Sequence, residues 1–408
     1  MLSFEAARTK VIEVVAARAA ALGTETVDLS PQPSLALGRI LAEDVIADRN
    51  YPPFDRSIRD GFAARSSDLV LPGAKLRLIG ESRAGMAFDG GVEAGECVRI
   101  LTGAPVPRGA NAVVMQEYTH PDGDFIVFEP PARAGQNFVL AGAEARAGEV
   151  MVPRGTRLSY AELAVSAEVG HLRLAVVRRP RVGILSTGDE LVECEQVPGL
   201  YQIRNSNNVS LSAQVALSGG EPVMYGSAAD EVSKLRARIE QSLDSDILVM
   251  SGGVSVGAYD LVEQVLGELG AEFFFDAVAI RPGRPAVFGW CHGKPVFGLP
   301  GNPVSAMVTF ELFATPAIEL LSGHQPQPLP LFKARLGHRV DEKAAVAHFL
   351  PARVGWQGGF PAVEVLLWEG SGDMGAVVRG NCFLVVHESK LSLEAGEWVD
   401  VLMRRGVF

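Results

Sequence analysis

The 408-residue sequence has only four cysteines, at 97, 194, 291 and 382, and no two of them form a Cys-x-x-Cys pair. That spacing argues against a disulfide framework and against a cysteine-bound zinc site, and it fits a reducing compartment. Positive charge is not in excess: the formal net charge is -11. A general nucleic-acid binder needs a basic face, so that class is disfavoured. No basic segment leads into an apolar core near the start. Glu5 and Glu13 interrupt the apolar positions there, and the stretch reads as an amphipathic helix, not a signal peptide. No apolar run approaches the roughly 18 residues of a membrane span. The seven histidines show no metal-ligand spacing, and no Ser/His/Asp or Cys/His arrangement can be argued. There is no internal repeat and no low-complexity tract. What remains is ordinary globular composition, 48% hydrophobic and 21% charged, in a soluble, cytoplasmic chain. Its length allows roughly two to four domains.

The chain is organised around residues 246–306, where two glycine turns each follow an apolar run. The first turn is Ser251-Gly252-Gly253-Val254-Ser255-Val256-Gly257, with Asp260 opening the next helix-patterned run. The second is Pro300-Gly301-Asn302-Pro303-Val304-Ser305. Each reads as a buried strand, a tight loop and a helix start. Asn302 suits an N-cap and Pro303 the first helical position. Loops of this build present backbone N–H groups at a helix N-terminus, a site for phosphate or another oxyanion. Between them lie Arg281 and Arg284, held by Pro282 and Pro285, which add compensating charge.

Around this centre the sequence predicts a multidomain α/β plus β fold. Residues 1–50 and 141–178 read as a helical N-terminal and linker domain, with helices over 3–22 and around 35–41. Ser159 and Glu162 have capping-box spacing for a helix ending near Gly170. Residues 51–140 read as an inserted β-rich module with strands over 76–79, 97–100, 112–115 and 125–128. Residues 179–324 alternate strand and helix, predicting a central parallel sheet with helices on both faces. Arg178-Arg179-Pro180 reads as the linker into it. Residues 325–408 lose the helix pattern and read as a small all-β, barrel-like C-terminal domain.

Ligands of such sheets bind beyond the carboxyl ends of the strands, where the glycine loops lie. The turn Ser186-Thr187-Gly188-Asp189-Glu190 follows the first strand there. Its two carboxylates suit a hard cation, and equally a helix start that favours acids. Arg204-Asn205-Ser206-Asn207-Asn208 precedes a helix, and capping is the simpler reading. In the N-terminal half, the loop over 52–63 carries Asp55 and Asp60, and Thr102 sits in the turn after a strand. Neither has a derivable catalytic geometry.

Taken together, the loop over 52–63, the turn over 102–107, and the motifs at 186–191, 251–257, 281–285 and 299–305 resemble the molybdopterin molybdenumtransferase family, which includes MoeA and the E domain of gephyrin. They stand in that family's order, across essentially the whole chain. The resemblance implies a transferase acting on adenylylated molybdopterin. Molybdate is bound, the phosphoanhydride is cleaved with release of AMP, molybdenum passes to the dithiolene sulfurs, and Mg2+ assists. By motif, Glu190 and Asp260 become the carboxylates near the cation and the cleaved anhydride, with Asp60 and Thr102 as further active-site positions. Ser186, Thr187, Gly188, Asp189, Ser206, Asn207, Ser251, Gly252, Gly253, Ser255, Gly257, Pro300, Gly301, Asn302 and Ser305 become substrate- and phosphate-binding. Arg281 and Arg284 hold anionic oxygen. The resemblance also implies a homodimer whose clefts are shared between subunits, and contacts with molybdopterin adenylyltransferase and molybdoenzyme acceptors.

The chain departs from the family at several points. Arg281 and Arg284 stand where lysine is usual, Asn205 where an aspartate is usual, Arg56 where asparagine is usual, and Glu144 in place of a motif aspartate. Two rival readings follow: a non-catalytic carrier or scaffold of the same fold, for which residues 205, 281 and 284 would be the footprint, and molybdopterin adenylyltransferase, which resembles the α/β domain alone.

Overall fold

The computed structural model describes residues 1–253, 261–341, 346–388, 390 and 392–407. Two compact units form: residues 1–26, 38–40 and 175–408 make one, and residues 27–37 and 41–174 the other.

The larger unit is built on a six-stranded sheet in the order Glu221–Ala228, Arg181–Thr187, Ile247–Ser251, Lys294–Leu299, Val287–Cys291, Glu272–Phe275. The first four strands are mutually parallel, as predicted. Val287–Cys291 is reversed and Glu272–Phe275 pairs antiparallel to it, so the expected parallel sheet is a mixed one. The reversal comes from the two-residue turn at His292 and Gly293, whose φ values of 49° and 80° match the twist of a tight hairpin. Side chains alternate between faces with period two. Val182, Ile184, Val249 and Phe297 face a core shared with the helices Ser206–Leu217 and Pro303–Leu321. Leu185, Leu248, Met250 and Val296 face Leu235, Ile239, Val262 and Leu266 on the other side.

The helix predicted over 3–22 spans Phe4–Arg18 and is capped by Ser3. It does not join 141–178. Phe4, Ala7, Val11 and Val15 are buried in the same core as Phe310, Phe313 and Ile318, because that core is where an apolar stripe of this size is covered. Pro303–Leu321 is apolar enough, by length and composition, to cross a membrane, against the sequence expectation, but 83% of it is buried in this core. Nor are residues 178–180 a loose linker: Arg178 makes two hydrogen bonds to Asp246, at 2.9 and 3.0 Å.

Toward the C-terminus, Ala347–Gln357, Phe360–Val365, Leu331–Leu336, Trp398–Met403 and Cys382–Val386 pair in a ring, the last returning to the first. That closes a barrel with no open edge. Ile280–Arg281 adds a short parallel strand to Ala347–Gln357. The domain is not all β: Met374–Arg379 is a helix, capped by Asp373 through the Ala376 N–H, and too short to show a helical period in sequence.

The smaller unit holds a six-stranded sheet in the order Ala112–Met115, Gly61–Ala64, Glu96–Ile100, Ala74–Ser82, Phe125–Phe128, Thr119–Asp122. Its central strand Gly61–Ala64 falls where the sequence reads as loop. Gly61 is obligatory there, since a Cβ would sit 1.9 Å from the Val114 carbonyl oxygen. The stretch around 35–41 is only a 3-10 turn, Pro33–Ala36, followed by Gly38 at φ 74°. Tyr160–Glu168 carries the capping box expected of Ser159 and Glu162.

Candidate active site

The carboxyl ends of Arg181–Thr187, Ile247–Ser251 and Lys294–Leu299 converge on a solvent-open cleft of about 390 Å3. Glycine lets their loops come this close. Gly252, at φ 88°, has the Thr187 carbonyl oxygen 2.2 Å from where a Cβ would lie. Gly253, at φ 64°, has Thr187 Cγ2 at 2.7 Å and Val262 Cγ2 at 2.8 Å. The Gly252 N–H donates to the Leu299 carbonyl at 3.0 Å, tying the two glycine loops together.

Of the residues expected to bind substrate, Thr187, Gly188, Ser206, Asn207, Gly252, Gly253, Pro300, Gly301 and Asn302 line the cleft, as does Glu190. Ser186 and Ser251 lie beneath it, buried, their hydroxyls 2.9 Å apart. Ser186 Oγ also lies 2.6 Å from Asn208 Oδ1 and 3.1 Å from Asn205 Oδ1, so these serines hold the helix start in place. Asp189 is exposed at the rim and accepts the Asp230 N–H at 3.1 Å. Ser305 is buried within the helix behind the loop. Arg281 and Arg284 are exposed and do not line the cleft, although Pro285 does. Gly283 seats their turn against the helix: a Cβ there would lie 2.5 Å from Thr309 Cγ2. Ser255, Gly257 and Asp260 lie outside the described residues.

Asn205 behaves as the cap that sequence favours, its side chain accepting the Asn208 N–H at 3.2 Å. Yet its Nδ2 is buried without a partner, and so is Oδ1 of Asn207, whose Nδ2 donates to the Gly301 carbonyl at 2.8 Å. A donor and an acceptor are thus left unpaired beneath the cleft lining, without surface exposed to it.

Asp230 is the cleft residue that the sequence did not reveal. Its Oδ1 accepts from Thr187 Oγ1 at 2.5 Å, which places a further carboxylate on the lining. It follows Ala228 and Ala229 with no recognisable motif. Only the pairing of Glu221–Ala228 beside Arg181–Thr187 could have pointed to it.

No cluster of three or more His, Cys, Asp or Glu side chains suited to a metal occurs among the described residues. Glu190, Asp230 and Thr187 each put oxygen side chains on the cleft lining, the ligand type that Mg2+ takes.

Asp60 and Thr102 meet in the smaller unit. Antiparallel pairing of Gly61 with Ile100 brings them opposite, and Asp60 Oδ1 accepts from both the Thr102 N–H and its hydroxyl, each at 2.7 Å. The backbone N–H, then the hydroxyl, hold the Asp60 carboxyl below its ordinary range. Arg56 and Glu144, two of the departures from the family pattern, pair with each other at 2.6 Å. All four cysteines are free, and burial pushes the Cys97 and Cys382 thiols up to about 12.

Three family models match the chain: the MoeA N-terminal region (domain I and II) over residues 2–170, a probable molybdopterin binding domain over 183–320, and the MoeA C-terminal region (domain IV) over 333–403. The molybdopterin molybdenumtransferase of Haemophilus influenzae is 34% identical over 412 residues, covering 98% of each chain. That of Staphylococcus aureus (strain Mu50) is 32% identical over 373 residues, covering 90% of this chain and 89% of its own. A crystal structure of the molybdopterin biosynthesis MoeA protein from Pyrococcus horikoshii superposes with a TM-score of 0.79 at 32% identity, covering 97% of this chain and 98% of its own.

Proposed function

Because the chain belongs to the molybdopterin molybdenumtransferase family and is a transferase of molybdenum cofactor biosynthesis, we propose that the cleft at its glycine loops takes adenylylated molybdopterin and molybdate. There the phosphoanhydride is cleaved, AMP leaves, and molybdenum passes to the dithiolene sulfurs. The observation that carries this reading is the convergence of three parallel strand ends on one cleft lined by both glycine loops, the Ser206–Asn207 helix start, Glu190 and Asp230.

The protein's share is positioning and electrostatics, with no covalent intermediate. Backbone N–H groups of Gly253, Gly301 and Asn302 hold phosphate oxygens, and Arg281 and Arg284, exposed on the turn that ends at the cleft-lining Pro285, supply positive charge outside the lining. Glu190, Asp230 and Asp260 would hold Mg2+, which would supply charge neutralisation for the anhydride oxygens. Thr187 orients the Asp230 carboxylate by donating its hydroxyl to it. Asp60 and Thr102 act in the cleft of a partner subunit of a cytoplasmic homodimer. That role accounts for a carboxylate kept ionised and exposed.

AMP release from adenylylated molybdopterin, with Mg2+ and with or without molybdate, tests the reading. Release that depends on molybdate and yields active cofactor supports it. Glu190→Ala should then slow release about 100- to 1,000-fold without lowering the melting temperature, the usual loss when one electrostatic group of a preorganised site is removed. Asp230→Ala should slow it as much while lowering the melting temperature, because it strands the Thr187 hydroxyl. Tight substrate binding without release under either condition would instead make the chain a carrier.

A further inference from the structure

The cleft lining carries two kinds of surface. One is polar, made by the glycine loops and the carboxylates of Glu190 and Asp230. The other belongs to a ribbon of two short strands, Leu191–Val192 and Ile203–Arg204, paired in parallel with Leu191 beside Ile203. Ladder partners project to the same face of a sheet, and both residues line the cleft. Ile203 is 56% exposed and Leu191 half-buried, so two aliphatic side chains stand next to each other as an open shelf. The main chain fixes that shelf. The Ile203 N–H donates to the Glu190 carbonyl and the Asn205 N–H to the Val192 carbonyl, each at 2.9 Å. Arg204 Nε donates to the carbonyls of Cys194 at 3.0 Å and Gln196 at 3.1 Å. None of these bonds uses the side chain of Leu191 or Ile203.

We propose that Leu191 and Ile203 are specificity-determining residues of the cleft, taking one face of a planar fused-ring heterocycle. The inference rests on the reading of the cleft as the site of adenylylated molybdopterin. That substrate carries two such rings, the adenine and the pterin, and an aliphatic shelf suits either, because it covers a ring face without reading the ring edge. A bare oxyanion has no apolar surface to bury there. The cleft volume of about 390 Å3 is that of small-ligand sites, which combine apolar walls with a few polar groups that fix orientation. Because the ribbon is held by its own backbone bonds, the shelf is formed before the ring arrives, and binding has little to order.

The probes are AMP, ribose 5-phosphate and 6-hydroxymethylpterin, titrated calorimetrically against the full chain with Mg2+ present, so that no turnover is involved. Wild type should bind AMP or the pterin saturably. Ile203→Thr keeps the branched β-carbon that the ladder favours and trims the aliphatic surface. It should weaken the ring on the shelf about tenfold, the worth of roughly two buried methylene groups. A loss confined to AMP assigns the shelf to adenine, and a loss confined to the pterin assigns it to the pterin. Leu191→Ala should act in the same direction. Val197→Thr, on the same ribbon but 87% exposed and off the lining, should change nothing. Ring binding that survives both Ile203→Thr and Leu191→Ala would overturn the shelf and leave the reading of the cleft standing. An equal loss for ribose 5-phosphate would do the same. If wild type binds neither AMP nor the pterin, the reading of the cleft falls and the shelf with it.

Discussion

The helix Pro303–Leu321 serves two polar neighbourhoods, and they are finished differently. At its start, Asn302 and Pro303 line the cleft, where Asn205 Nδ2 and Asn207 Oδ1 are buried and unpaired. Further along, the π-helical turn Phe310–Ala314 carries Glu311, only 8% exposed. That carboxylate is paired with Arg405, which also reaches Glu319, while Arg8 donates to the carbonyls of Leu312 and Gln327. Both places bury polar atoms, and an unmade buried hydrogen bond costs about 1–3 kcal/mol. Within the group of Arg8, Glu311, Glu319 and Arg405, Arg8 Nε is the one buried side-chain atom among the described residues without a partner. Beneath the cleft a donor and an acceptor stay unpaired, which lowers stability there.

The largest effect should come from breaking the closed network. Arg405→Met leaves Glu311 buried without its cation, and removing one partner of a buried pair costs about 3–5 kcal/mol. Glu311→Gln should cost much less, because Arg405 keeps Glu319. Burial already holds the Glu311 carboxyl above its ordinary range despite Arg405. A raised acid pKa favours the folded state when protonated. The Arg405→Met deficit should therefore be smallest at pH values near the ordinary carboxyl pKa, and should grow as pH rises through the folded one. Denaturant unfolding at pH 5 and pH 8 measures both points. Equal losses at the two pH values would show that Glu311 is not the group left stranded.

How much of this is legible in the sequence follows the same division. The strand–loop–helix units around Gly252 and Gly301 and the capping box at Ser159 rest on local spacing, and they stand as read. Asp230 and the Arg8–Glu311–Arg405 network depend on which strands and helices become neighbours, and no local pattern carries that. Gly61–Ala64 escapes for a related reason. A four-residue strand, Gly-Phe-Ala-Ala, has no β-branched residue, and its need for glycine comes from Val114 across the sheet. The reversed strand Val287–Cys291 hides similarly, because a buried apolar run looks the same in either direction.

A smaller effect separates conformation from close approach at the cleft. Gly270 sits at φ 81° with nothing within 4 Å of where a Cβ would lie, so Gly270→Ala should cost about 1 kcal/mol, the penalty of the left-handed conformation alone. Gly252→Ala meets the Thr187 carbonyl as well and should cost roughly 2–3 kcal/mol. Because the displaced atoms are cleft atoms, its AMP release should fall further than its stability. Thermal unfolding and turnover of the two variants, side by side, make the check. Matching losses would mean that the loop yields without disturbing the cleft.

The smallest effect concerns Asp60, a carboxylate that is neither buried nor left open. Its lowered pKa comes first from the Thr102 N–H and then from the Thr102 hydroxyl. Thr102→Val removes the second and keeps the first, so the Asp60 pKa should rise only part of the way to its ordinary value. A carboxyl depressed on folding adds stability above its unfolded pKa and loses it as pH falls through the folded one. Wild type should therefore exceed Thr102→Val slightly at neutral pH, and the two should converge in acid. A carboxyl-carbon NMR titration of Asp60 reads the shift directly. An unchanged pKa would leave the backbone N–H as its whole cause, and would make the Thr102 hydroxyl available for substrate instead of for holding Asp60.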